Sequence, residues 1–201
     1  MLERRNLLKL GLGAAAGAGL AALPALGLAD PIALVSHTGP SAAPAAIPSS
    51  PAMRSVSLQN LHTGETMQGV YWADGAYIPE VLDAVNLHLR DYRNGAVHVI
   101  DPQLLDLLDA LNTLTETRGS FQVISGYRSP QTNALLCERS GEVAKHSLHM
   151  QGMAIDIRLA DVELDHLHKA AMSLGRGGVG FYPDSNFVHV DVGPVRSWRG
   201  T

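Results

Sequence analysis

The segment Lys145-His146-Ser147-Leu148-His149-Met150-Gln151-Gly152-Met153-Ala154-Ile155-Asp156 sets a histidine and a carboxylate on either side of a glycine. A histidine on a loop and an aspartate on the strand that follows can converge on one cation, provided Gly152 lets the backbone between them turn tightly. A third histidine, His189, lies in Phe187-Val188-His189-Val190-Asp191, where alternation turns Val188 and Val190 to the opposite face. Two imidazoles and one carboxylate fill three positions of a tetrahedral ion and leave the fourth to water. That is the open geometry of a catalytic zinc site rather than a closed structural one. The pattern predicts Zn2+ held by His149, Asp156 and His189.

The remaining candidate groups are less informative. His146 precedes the pattern and is expected to be a loop residue or a substrate contact. His166 and His168 follow Asp165 in a helical segment; residues two apart diverge on a helix, so a solvated face is expected there rather than a second metal. Cys137 is the single cysteine, which excludes an internal disulfide, and no histidine arrangement suggests an activated thiolate.

The elements that must carry these residues can be read from periodicity and punctuation. Ser55 to Trp72 alternates in polarity around the turn-like His62-Thr63-Gly64-Glu65, predicting a β-hairpin. Helices are expected over Pro79 to Tyr92 and from Asp101-Pro102 to near Gly119, the second with a core-facing leucine run from Leu104 to Leu114. A short strand Phe121 to Ile124 leads through Ser125-Gly126-Tyr127-Arg128-Ser129-Pro130 into a helix from Gln131 to Arg139. Met153 to Leu159 reads as a core strand, Glu163 to Leu174 as a helix, and Val179 to Tyr182 and Phe187 to Val192 as two closing strands. Helices first and a small antiparallel sheet later give an α+β domain.

With these residues in view, Ser147-x-His149-x-x-Gly152-x-Ala154-x-Asp156 followed by a late strand histidine resembles the M15 family of zinc peptidases, whose core is shared with the hedgehog signalling domain and the D-Ala-D-Ala carboxypeptidases. The similarity is closest to its murein endopeptidase K branch, through Ser125-Gly126-Tyr127-Arg128-Ser129, Gly178-Val179-Gly180-Phe181-Tyr182-Pro183 and Phe187 to Gly193 with Arg196 and Trp198. The resemblance spans roughly Ser55 to the C-terminus. It implies zinc on His149, Asp156 and His189, and an Arg128 that grips substrate or steadies a developing oxyanion, a task suited to a forked, permanently charged group. It also implies that Ser147 positions His149 or the substrate; Tyr127 is a candidate for the cleft wall, with packing as the competing role. Many relatives carry a Glu or His base shortly before the last ligand, where this chain has Ser185, Asn186 and Phe187. Asp184 and Asp191 are the remaining candidates, Asp184 slightly preferred. The expected activity is hydrolysis of peptidoglycan cross-links or stem peptides by a zinc-activated water, with the bond unspecified; the alternative is a non-catalytic, zinc-stabilised cell-wall binding module.

The N-terminus agrees with a cell-wall role. Arg4-Arg5 and Lys9 precede an uncharged Leu10 to Leu28 run softened by Gly and Ala, as in a twin-arginine export signal, with cleavage expected before Asp30. Residues 30–53, rich in Ala, Pro and Ser, read as a disordered linker, and 54–201 as the peptidase domain. Three positive charges against one negative leave with the signal, taking the net charge from −4 to −6, which argues against nucleic-acid binding. A periplasmic monomer is expected, touching the membrane only through the signal before cleavage.

Overall fold

In the computed structural model, residues 53–140 and 143–200 are described. The export signal, its cleavage point and all but the last residue of the linker lie outside them. Polarity alternation becomes strand β1 (Met53–Asn60), whose Val56, Leu58 and Asn60 are buried. Strand β2 (Thr66–Ala73) pairs antiparallel to it, and a short β3 (Ala76–Tyr77) folds back onto β2. Helix α1 (Pro79–His88) begins with proline, whose missing N–H costs nothing in the first turn. It stops short of Tyr92 because the Asp91 carbonyl accepts from Asn94 and Gly95 at 3.3 and 2.7 Å, turning the chain.

Helix α2 (Pro102–Thr115) is capped by Asp101, whose side chain accepts from the Gln103 N–H. Leu104, Leu105, Leu107, Leu108 and Leu111 are buried along it, while Leu114, at the end of the predicted stripe, is 46% exposed. Each buried leucine contributes about 1.5–3 kcal/mol relative to leaving it in water. Strand β4 (Phe121–Ser125), α3 (Pro130–Arg139), a 3-10 turn (Leu148–Gln151) and β5 (Ala154–Arg158) follow. Helix α4 (Leu164–Leu174), β6 (Gly178–Tyr182), β7 (Phe187–Asp191) and β8 (Arg196–Arg199) complete the described chain.

The α+β class holds, but the sheet is neither small nor wholly antiparallel. Eight strands form one mixed sheet in the order β3-β2-β1-β4-β5-β7-β6-β8. Strands β1 and β4 are parallel because α1 and α2 supply the long crossover such a pair needs. Strand β8 returns antiparallel to β7 on the far side of β6, and so runs parallel to β6. Helix α2 packs on β1 and α4, and α4 on β6 and β7. Ile155, Ile157, Val188 and Val190 join the core between helices and sheet. The intervening residues of β5 and β7 therefore face the other way. Among the described residues, no helix is long and apolar enough to cross a membrane.

Candidate metal centre

Strands β5 and β7 pair with Asp156 directly opposite His189, which sets the two side chains beside each other on the face away from α2 and α4. His149 reaches the same point from the 3-10 turn. Ser147 caps that turn, its hydroxyl accepting from the His149 N–H at 3.4 Å. Gly152 ends it at φ +67°, and a β-carbon there would lie 2.1 Å from the Val99 carbonyl oxygen. Both the left-handed backbone and the close approach require glycine.

The donor atoms converge. His149 Nε2 lies 3.2 Å from Asp156 Oδ1 and 3.2 Å from His189 Nδ1, and His189 Nδ1 lies 2.8 Å from the same Oδ1. A tetrahedral ion with bonds of about 2.0–2.1 Å needs donors about 3.3 Å apart, so the spacing fits a small first-row cation. The outer nitrogens are also committed: His149 Nδ1–H donates to the Gly126 carbonyl at 2.7 Å, and His189 Nε2–H donates to Asp191 at 3.0 Å. Each bond leaves the inner nitrogen's lone pair aimed at the common point, the arrangement in which an outer partner sets the tautomer of a ligating histidine. All three residues are buried, and among the described residues they form a group suited to hold a metal.

The local electrostatics say the same. Burial pushes the His149 pKa down, so its imidazole is held neutral. Burial also opposes charge on His189, but the carboxylates of Asp156 and Asp191 outweigh it and raise its pKa to about 9. Burial works against the Asp156 carboxylate too, yet the two histidines hold its pKa well below the ordinary range. The metal-free cluster thus keeps one proton where a cation would compete for it.

A cavity of about 270 Å³ opens over these donors, lined also by Arg128, His146, Ser147, Tyr182, Arg196 and Trp198. The Arg128 side chain is 11% exposed, and its Nη2 lies 3.6 Å from Asp156 Oδ2. Its other side-chain bonds, to Asn133 and Ser125, are long at 3.5 and 3.4 Å, and its Nε is buried with no partner. Burial lowers its pKa, but a guanidinium stays charged. Trp198 stands 5.1 Å from the His189 ring and donates to the Tyr182 hydroxyl at 2.8 Å, making an aromatic wall. Strand β8, which carries Trp198 and Arg196, is short and lacks alternation, so periodicity does not predict it.

Several expected site residues stand elsewhere. Asp184 is exposed in the β6–β7 turn and does not line the cavity. Asp191 is fully buried behind His189, and its oxygens also accept from Gly178, Gly193 and Arg196. With those donors around it, Asp191 stands behind His189 and does not line the cavity. Tyr127 stacks on His98 at 4.8 Å and does not line the cavity. His168 is not on a solvated face but stacks on Phe181 at 4.5 Å, while His166 is exposed. Cys137 is half-buried against the Val143 carbonyl. In the sequence, the contact of Asp191 with His189 is signalled only by its position two residues later, on the same strand face.

Comparison with known proteins adds a family. The sequence profile described as "Peptidoglycan L,D-endopeptidase MepK" matches residues 48–198. The protein named peptidoglycan L,D-endopeptidase MepK in Escherichia coli strain K12 is 43% identical over 196 residues, covering 98% of this chain and 97% of that protein. The protein of the same name in Shigella flexneri matches equally. A probable peptidoglycan L,D-endopeptidase MepK of Haemophilus influenzae is 42% identical over 156 residues, 77% of this chain and 84% of that protein.

Proposed function

The chain belongs to the peptidoglycan L,D-endopeptidase MepK family of peptidases, and from that premise we propose that it is a zinc endopeptidase of peptidoglycan peptide cross-links. The carrying observation is the buried His149–Asp156–His189 triad at the floor of a cavity flanked by Arg128. The bond expected is one between an L- and a D-configured centre, as in the names of the relatives.

His149 Nε2, Asp156 Oδ1 and His189 Nδ1 would hold the ion, and zinc suits two imidazoles and a carboxylate. When bound, it supplies Lewis acidity that makes water a nucleophile at neutral pH and polarises the scissile carbonyl. Gly126 and Asp191 keep the two imidazoles in the ligating tautomer. Arg128, with donors to spare beside Asp156, binds the carbonyl oxygen as negative charge develops on it. His146, an imidazole on the cavity lining, takes the proton of the attacking water and returns it to the departing amine. Tyr182 and Trp198, on the same cavity lining, flank the peptide.

The proposed place of action is the periplasm, reached as a monomer by the twin-arginine route through Arg4-Arg5; replacing both arginines by lysine should hold the protein back. The central experiment incubates purified protein with cross-linked muropeptides, before and after chelation and after adding zinc back, and identifies products by mass. Cleavage lost on chelation and restored by zinc supports the proposal. Undiminished cleavage by the metal-free protein overturns it.

A further inference from the structure

Asp91 is a buried carboxylate that the proposed chemistry does not use. It is 1% exposed and lies in the connector between α1 and α2, outside the cavity lining. One oxygen accepts from the Ser129 N–H at 3.0 Å and the Ser129 hydroxyl at 2.8 Å, and the other from the Arg93 N–H at 3.1 Å. Burial works against its ionised form, yet hydrogen bonds from Thr132, Ser129 and Arg93 keep its pKa below the ordinary carboxylate range. The Ser129 hydroxyl oxygen also accepts from Asn94 at 2.8 Å and from the Thr132 N–H at 3.2 Å. With its lone pairs used, its proton must go to Asp91.

Ser129 is the neighbour of Arg128, and that adjacency matters because of how Arg128 is held. An arginine that keeps its donors for a ligand cannot also be anchored by them, and the side-chain bonds of Arg128 are all 3.4 Å or longer. Its place is set through the backbone on either side. On one side the Tyr127 N–H donates to the Leu89 carbonyl at 2.8 Å, and a β-carbon on Gly126 would stand 2.6 Å from that same oxygen. On the other side Asp91 holds Ser129. The Arg128 N–H itself donates to the His149 carbonyl at 3.2 Å, linking this turn to the proposed metal ligands.

We propose that Asp91 is the positioning residue for Arg128: its carboxylate fixes the turn from which the guanidinium reaches the cleft. The inference rests on the reading that Arg128 binds the substrate oxygen. Misplacing such a group by about 1 Å can cost about 10²-fold in rate.

The test is a double-mutant cycle on the full-length, zinc-loaded protein with cross-linked muropeptides, with metal content measured alongside. Asp91→Ala should lower kcat/KM about tenfold or more, and the same change in an Arg128→Ala background should cost less than about twofold. Asp91→Asn should lose less rate than Asp91→Ala, because its amide can keep the carbonyl oxygen on Ser129, although its nitrogen then faces the Arg93 N–H and that bond is given up. If Asp91→Ala does not fold, Ser129→Ala, which removes only the hydroxyl, must show the same dependence on Arg128. Equal losses in both backgrounds would assign Asp91 a structural role and overturn the inference, as would full activity of the alanine variant. Full turnover by Arg128→Ala alone is a separate result, which sinks the reading of Arg128 and this inference with it.

Discussion

Replacing Asp191 by Asn tests how the His189 imidazole is prepared for metal. The carboxylate is fully buried. Its Oδ2 accepts from His189 Nε2 and Arg196 Nη2 at 3.0 and 2.6 Å, and its Oδ1 from Gly178 N, Gly193 N and Arg196 Nη1 at 2.8, 2.9 and 3.1 Å. An amide can put its nitrogen at only one of these places, and either choice sets a donor against donors. With nitrogen at the Oδ2 place, His189 can bond to it only by taking the opposite tautomer, which protonates Nδ1 and removes the ligating lone pair. With nitrogen at the Oδ1 place, three donors lose their acceptor and His189 keeps only a neutral one. Loss of a buried charge-assisted bond costs about 1.5–3 kcal/mol, and each 1.4 kcal/mol is about tenfold. Zinc affinity should therefore fall about 10- to 100-fold, in line with outer partners of other metal ligands. Competition with a chromophoric chelator measures it, with thermal unfolding as the control for folding. At saturating zinc much of the activity should return. Unchanged zinc affinity with lost turnover would refute the orienting role and restore Asp191 as a base.

Four other outcomes follow from the geometry. Arg128→Ala should keep its zinc and lose about 10²–10³ in kcat, measured by metal analysis and steady-state kinetics. His146→Ala should keep its zinc and lower kcat about 10²-fold or more, since the attacking water loses its proton acceptor; full turnover would remove His146 from the reaction. Gly152→Ala adds a β-carbon at φ +67° against the Val99 carbonyl; a left-handed alanine alone costs about 1–2 kcal/mol, so thermal unfolding should fall by several degrees and zinc should be held more weakly. His189 in the metal-free protein titrates at about 9, and zinc must displace that proton. Affinity should thus climb about tenfold per pH unit below that value and level off above it, after correction for chelator protonation; a flat dependence would show that the cluster holds no such proton.

Much of the candidate site was legible because a metal-binding pattern constrains local sequence. His149, Gly152 and Asp156 lie on one short stretch whose turn and strand are both written in nearby residues, and His189 shows its facing by the alternation around it. The α+β class was legible for the same reason: hairpin, leucine-rich helix and closing strands each carry their own period. Asp184 and Tyr127 fall outside the cavity lining, because nearness in the chain says nothing about which way a turn or a ring faces. The apolar pattern overruns helix α1 because it continues to Leu89, while the turn that follows is closed by the Asp91 carbonyl on Asn94 and Gly95.

The sequence by itself thus determined which groups could bind a cation and roughly which elements hold them, since residue type, glycine placement and periodicity are local properties. Only the tertiary structure decided what surrounds those groups. The Asp156–His189 register, the Gly126 carbonyl behind His149, the burial of Asp191, the wall made by β8 and the bond from Asp91 to the Arg128 turn all join segments that are apart in the chain or facings that a pattern does not encode. Tautomer, charge and the direction of a guanidinium depend on those neighbours, because hydrogen bonds and desolvation act through space.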